Sequence, residues 1–239
     1  VSGCVAGADG CRAGYVVALR RIDTGEWLGA RVVPDVAALM TLPEAPVVIA
    51  IDMPIGLPER TGAGGRAPER LVRPHLGARQ SSVFAVPGRA AVMAQDYAQA
   101  CAEALATSDP PRKVSKQAFH LFAKMRVLDE ALRADPGLRE RVFETHPELA
   151  FRLMAGAPLT HPKKIKGVVN PAGMAERLVL LVREGLDAMP ARLRGAGADD
   201  VLDAHAAAWT ALRIARGEAL RFPDPPERDG FGLRVAIHG

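Results

Sequence analysis

Short runs of β-branched and aliphatic residues, broken by glycine-bearing turns, dominate the first fifty residues. Residues 4–8, 15–22 and 27–33 each read as a strand, with Thr24-Gly25 as a tight connection, so the three form an antiparallel meander. Pro34-Asp35 opens a short helix over 36–42, with Asp35 as its N-cap. Residues 47–51 (VVIAI) form an almost unbroken apolar run, the composition of a strand buried on both faces within parallel pairing. A strand, a helical crossover and a returning strand favour parallel neighbours in one sheet.

Beyond residue 58 the pattern changes. Residues 59–86 are rich in Gly, Arg and Pro with weak periodicity, and read as a loop and short-helix insertion that either covers one side of a crevice or lies solvated on the surface. Residues 91–106 and 115–134 are helical, and in the second Phe119, Phe122, Met125, Leu128 and Leu132 recur at helical spacing as a packing stripe. Residues 141–145 form a short strand, and Pro147 suits a helix start. The basic loop HPKKIKG (161–167) precedes an amphipathic helix over 171–186. The last long helix, over 198–217, begins near Asp199 or Asp200 and stops at Gly217. Residues 231–237 close the chain as an edge strand or hairpin tail. The fold class is α/β: one domain over 1–239, with a mostly helical insertion at about 59–140.

Composition narrows the function classes only a little. The chain has 239 residues, 49% hydrophobic and 24% charged, as expected for a globular protein with a sizeable core. Its net charge of +4 permits a polyanionic partner without arguing for one. Cys4, Cys11 and Cys101 form no CxxC pair and read as reduced thiols. No signal-peptide order opens the sequence and no apolar run is long enough to span a bilayer. A cytoplasmic location with no membrane partner is the expectation.

Candidate chemistry gathers at strand ends. Asp9 follows the first run and Asp52 the 47–51 run, and Pro54, Gly56 and Pro58 stiffen the loop beyond it. In open α/β sheets the binding crevice lies at such positions, although Asp52 equally suits a loop cap. If the two strands are neighbours, the two acids stand about 4.8 Å apart and repel unless a proton or cation intervenes. Asp200 and Asp203 share one face of the final helix's first turn, where capping offers a competing explanation. The alanines 204 and 206–208 would let that helix press onto the sheet. Glu144 stands near the end of the 141–145 strand, while His146 suits capping as well as chemistry and Glu148 carries no assigned role. Lys163 and Lys164 can meet phosphates or form an ordinary solvated turn.

These residues resemble a known pattern. GADGCRAGYVVA from Gly7, IDMPIGLP from Ile51, GARQSSVFAVPGR from Gly77, FETHPELAF from Phe143, Lys163 and Lys164, and DDVLDAHAAA from Asp199 are similar to the domain of unknown function 429 family. That family is described as predicted nucleases with a ribonuclease H-like fold, and the D-x-x-D pair on the final helix resembles its Holliday-junction resolvase branch. The resemblance implies a mixed five-stranded sheet flanked by helices, and metal-dependent hydrolysis of nucleic-acid phosphodiesters with two Mg²⁺ or Mn²⁺ ions. It implies Asp9, Asp52, Asp200 and Asp203 as metal ligands and catalytic acids, with Glu144 supplying reach where Asp52 replaces the branch's usual Glu. Arg73, Arg79, Ser82, Lys163 and Lys164 would bind substrate, and a homodimer is possible. Where the family favours an Asp four residues before Arg73, this chain has Glu69. Two alternatives stay open: a non-catalytic nucleic-acid-binding module of the same fold, and an actin-like or sugar-kinase-like phosphotransferase, since GADGCR also resembles that superfamily's phosphate loop.

Overall fold

A computed structural model describes residues 3–187 and 190–239. The meander forms as β1 (Cys4–Cys11), β2 (Gly14–Arg21) and β3 (Trp27–Val33), each antiparallel to the one before. Helix α1 (Val36–Met40) follows, and the Asp35 carboxylate caps it by accepting from the Ala38 N–H. The chain then returns as β4 (Val48–Ile51), which pairs parallel to β1 in the register Val5↔Val48 to Ala8↔Ile51.

Between β4 and the next sheet strand the chain is helical. It runs through α2 (Ala67–Val72), a 3-10 segment (Arg73–Ser82), α3 (Arg89–Met93), α4 (Tyr97–Thr107), α5 (Lys116–Ala134) and α6 (Pro136–Arg141). The helix expected over 91–106 is therefore two. Ala94 is extended, and Asp96 caps a new start by accepting from the Gln99 N–H, so a side-chain acceptor competes with continuation of the helix. In α5, Phe122, Met125, Leu128 and Leu132 are buried as the expected stripe, with Phe119 packed at its margin.

Strand β5 (Val142–Glu144) joins β4 in parallel and completes a mixed sheet of order β3-β2-β1-β4-β5. Helix α7 (Pro147–Ala155) leads to a two-stranded hairpin, β6 (Lys164–Ile165) and β7 (Val168–Val169), then α8 (Pro171–Arg183) and α9 (Ala198–Arg216). The basic loop is thus a hairpin, turned by Lys166 and Gly167 with φ of 49° and 80°, the left-handed pair of a tight two-residue turn. A second hairpin, β8 (Arg221–Arg228) with β9 (Arg234–His238), ends the chain and touches the sheet through the bridge Thr145↔His238. Sequence patterning gave no sign of β8, because RFPDPPER alternates neither in polarity nor in β propensity.

Two apolar layers sandwich the sheet. On one face Ala6, Ala8, Leu19, Ile49 and Ile51 pack against α1 and α5. The other face is covered by α9, whose Ala204, Ala208 and Ala211 meet Val5, Val16, Ala18 and Ala50. The approach is close: a Cβ on Gly7 would lie 1.9 Å from the Ala208 nitrogen and 2.4 Å from the Ala204 oxygen. Among the described residues no helix is long and apolar enough to cross a membrane.

Candidate active site

The register of β1 against β4 decides where the first two acids meet. Pairing ends at Ala8↔Ile51, and the Asp52 N–H donates to the Ala8 oxygen at 2.9 Å, so Asp9 and Asp52 stand side by side just past it. Alternation along β1 puts Asp9 on the same face as Gly7, beneath α9. The contact that Gly7 permits there lowers the first turns of α9 onto the strand ends. Asp203 arrives as the third acid, 1% exposed, and lines one cleft of about 520 Å³ with Asp9, Asp52, Lys163 and Lys164.

Electrostatics in this cleft follow from crowding. Burial, then Asp203, then Asp52 hold the Asp9 carboxyl well above the usual carboxylate range. Burial and then Asp203 push Asp52 up to about 7. Lys163 reaches in from just before the basic hairpin and donates to Asp203 Oδ2. Burial pulls its ammonium down, but Asp203, Asp9 and Asp52 together hold it above its ordinary value. Lys164 pairs with Asp199 Oδ2 at 2.6 Å.

The helix acids divide differently from the sequence expectation. Asp200, taken there as a metal ligand, turns back and accepts the Gly197 N–H at 2.8 Å, capping α9. The buried neighbour is Asp199, 4% exposed and facing both lysines. Both residues lie about one turn before Asp203, so helical spacing alone does not choose between them.

Glu144 lines the cleft wall with both oxygens already engaged. Oε1 accepts from Arg66 Nη2 at 2.6 Å and Oε2 from the Ile55 N–H at 2.8 Å. Burial lifts its carboxyl to about 7 against the pull of Arg66. The same guanidinium donates to Glu69 and to the carbonyls of Ile55 and Gly56, so Glu144 anchors the loop beyond Asp52 and is not free to reach a metal. Glu69 therefore belongs to Arg66. Arg73, expected at the phosphate, instead donates to the carbonyls of Gly64 and Val83.

Arg79 does line the cleft, and its buried Nε has no hydrogen-bond partner among the described residues. Ser82 lines it too, with its hydroxyl donated to the Arg79 carbonyl at 2.8 Å. His146 holds the N-cap position of α7, with Nε2 3.4 Å from the Ser82 carbonyl, and burial lowers its pKa. Glu148, given no role from sequence, is buried in the cleft wall with Oε1 paired to Arg177 and Oε2 unpartnered among the described residues. Its signal was faint, because a Glu in the first turn of a helix is ordinary dipole chemistry.

The donor set suits a hard divalent cation: it is all carboxylate oxygen, and Asp203 Oδ1 is buried with no partner among the described residues. As the side chains stand, no three of the described His, Cys, Asp and Glu residues are grouped to hold an ion. The Lys163 ammonium supplies the positive charge instead. No curated protein and no solved structure matches this chain. A family model described as "Protein of unknown function (DUF429)" matches residues 7–228, nearly the full length, and on that match the chain belongs to the DUF429 family.

Proposed function

We propose that this protein is a metal-dependent nuclease that hydrolyses phosphodiester bonds of nucleic acid. The observation that carries the reading is the convergence of Asp9, Asp52 and Asp203, from two adjacent parallel strands and a helix near the end of the chain, in one cleft bordered by Lys163, Lys164 and Arg79. The mixed sheet and its order β3-β2-β1-β4-β5 are consistent with a ribonuclease H-like arrangement. Asp9, Asp52 and Asp203 would hold Mg²⁺ or Mn²⁺, with Asp199 close by on the same helix turn. A metal pair supplies activation of the attacking water and stabilisation of the leaving oxygen.

The chain's own side chains complete the site. Arg79, with an uncommitted Nε, and the two hairpin lysines orient a phosphate and offset its charge. The loop over residues 53–58, clamped by Arg66 and Glu144, keeps Asp52 from moving away from Asp9. His146, held uncharged by burial, lies where a proton can pass to or from the cleft.

The test is manganese-dependent cleavage of branched, duplex, hybrid and single-stranded substrates by wild type, Asp9→Asn and Asp203→Asn. Activity in wild type alone is the expected result; equal activity in all three marks a contaminant and removes the proposal. One observation favours a second reading, a nucleic-acid-binding module without catalysis: Lys163 already occupies the acid cluster, bonded to Asp203. That reading expects metal-free binding that survives Asp52→Asn.

A further inference from the structure

Two buried carboxylates (Asp9 and Asp203), the half-buried Asp52 and one ammonium line the cleft, and the ammonium is the only one of the four that can leave. The backbone of Asp9 is held by pairing with β2, that of Asp52 by its N–H to the Ala8 carbonyl, and that of Asp203 by a helix that Gly7 lets lie against the sheet. Lys163 is fixed only through its backbone. Its carbonyl accepts the Asn170 N–H at 2.8 Å, and the preceding Pro162 carbonyl accepts Asn170 Nδ2 at 2.8 Å. Four rotatable carbons separate that anchor from the charge. The hairpin beyond it presents Ile165, Val168 and Val169 to solvent, 55%, 70% and 43% exposed, so apolar packing does little to hold this segment down.

The match between lysine and acids is incomplete. One monocation faces three carboxylates, and it bonds Asp203 Oδ2 while Oδ1 stays buried and without a partner among the described residues. Leaving a buried acceptor unpaired is unfavourable. A divalent ion can engage several of these oxygens at once, whereas an ammonium has three hydrogens and a single charge.

We infer that Lys163 is an exchangeable counter-cation: it bonds Asp203 and partly offsets the charge of the Asp9, Asp52 and Asp203 cluster in the metal-free protein, is displaced when a divalent ion binds, and then turns to the phosphate of the substrate. Lys164 does the same for Asp199 at the edge of the cluster. The inference rests on the metal-dependent reading above and adds its regulation. Metal has to compete with a tethered cation, so the site is quiet at low metal, and loading it releases two positive charges beside the scissile phosphate. Metal and polyanion therefore bind cooperatively.

The test reads the lysines directly. Wild-type protein is pulse-labelled with an amine-acetylating reagent, with and without saturating Mn²⁺, and acetylation at Lys163 is quantified by mass spectrometry against the exposed Lys113 and Lys116. Calorimetry in parallel gives the Mn²⁺ affinity of wild type and Lys163→Met. Exchange predicts Lys163 labelling raised about tenfold by Mn²⁺, and about tenfold tighter Mn²⁺ binding by the variant, equivalent to about 1.4 kcal/mol. Mn²⁺ binding with Lys163 still protected, or weaker binding by Lys163→Met, overturns the exchange and leaves the metal reading intact. No Mn²⁺ binding by either protein overturns both. If Lys163→Met does not fold, the wild-type labelling decides alone.

Discussion

Asp52 shows what the cleft costs the protein. Its carboxyl is raised to about 7, chiefly by burial, whereas in an unfolded chain it would titrate near 3.9. Between those values the folded state holds the extra proton, so this group's contribution to stability falls as pH rises from about 4 to 7. Asp52→Asn is thus expected to stabilise the metal-free protein by about 1–2 kcal/mol at pH 8, after allowing for screening, and hardly at all at pH 4. The same variant should lose manganese-dependent cleavage. Thermal melts at the two pH values, set against the cleavage assay, check both halves. His238 titrates in the opposite sense. It is 2% exposed, its Nδ1 lies 3.1 Å from the Glu144 carbonyl, and burial lowers its pKa to about 4. Below about pH 6.5 the unfolded chain takes up the proton first, so stability is lost as pH falls towards 4, by on the order of 2–3 kcal/mol. His238→Asn keeps a donor for that carbonyl and removes the titration, so urea unfolding should show a shallower acid slope than wild type.

At the scale of elements, two contacts set the site. The first is α9 on β1, where a methyl group on Gly7 would occupy the space of the Ala208 backbone. Gly7→Ala should destabilise by at least about 3 kcal/mol, since helix or strand must move and no flexible side chain can yield. Denaturant unfolding within about 1 kcal/mol of wild type would show that the helix does not lie so close. The second is the Arg66 clamp. Nε, Nη1 and Nη2 all donate, to Glu69, to two carbonyls and to Glu144, all buried. Arg66→Lys keeps the charge but loses the fork, and leaves parts of two buried carboxylates unpaired. A loss of about 2–4 kcal/mol is expected, with partial recovery on adding Glu144→Gln, measurable in a double-mutant cycle.

Across the whole molecule, legibility followed the distance over which each feature is encoded. The meander, the crossover and the 47–51 strand were readable because burial on a sheet imposes local apolar runs. Asp9 and Asp52 were readable as neighbours because a helical crossover implies parallel pairing. The alanine face of α9 announced a close contact, and Gly7 supplied its other half. The choice between Asp199 and Asp200 was not readable, since both occupy the same helix turn and only the capping of Gly197 separates them. Glu144 looked like a catalytic acid because nothing in FETHPELAF reveals a guanidinium from residue 66. Arg73 looked like a phosphate ligand for the same reason.

By itself, then, the sequence determined the meander, the crossover, the 47–51 strand and the long helices, and placed Asp9 and Asp52 at strand ends, because strand runs, helix stripes and caps are written within a few residues of one another. Tertiary structure alone decided which charges are spent on each other. Arg66 claims Glu144, Arg177 claims Glu148, and Lys163 enters the acid cluster from forty positions before Asp203. Charge pairing acts through space and favours whichever partner the packed backbone delivers, and no local pattern carries that information.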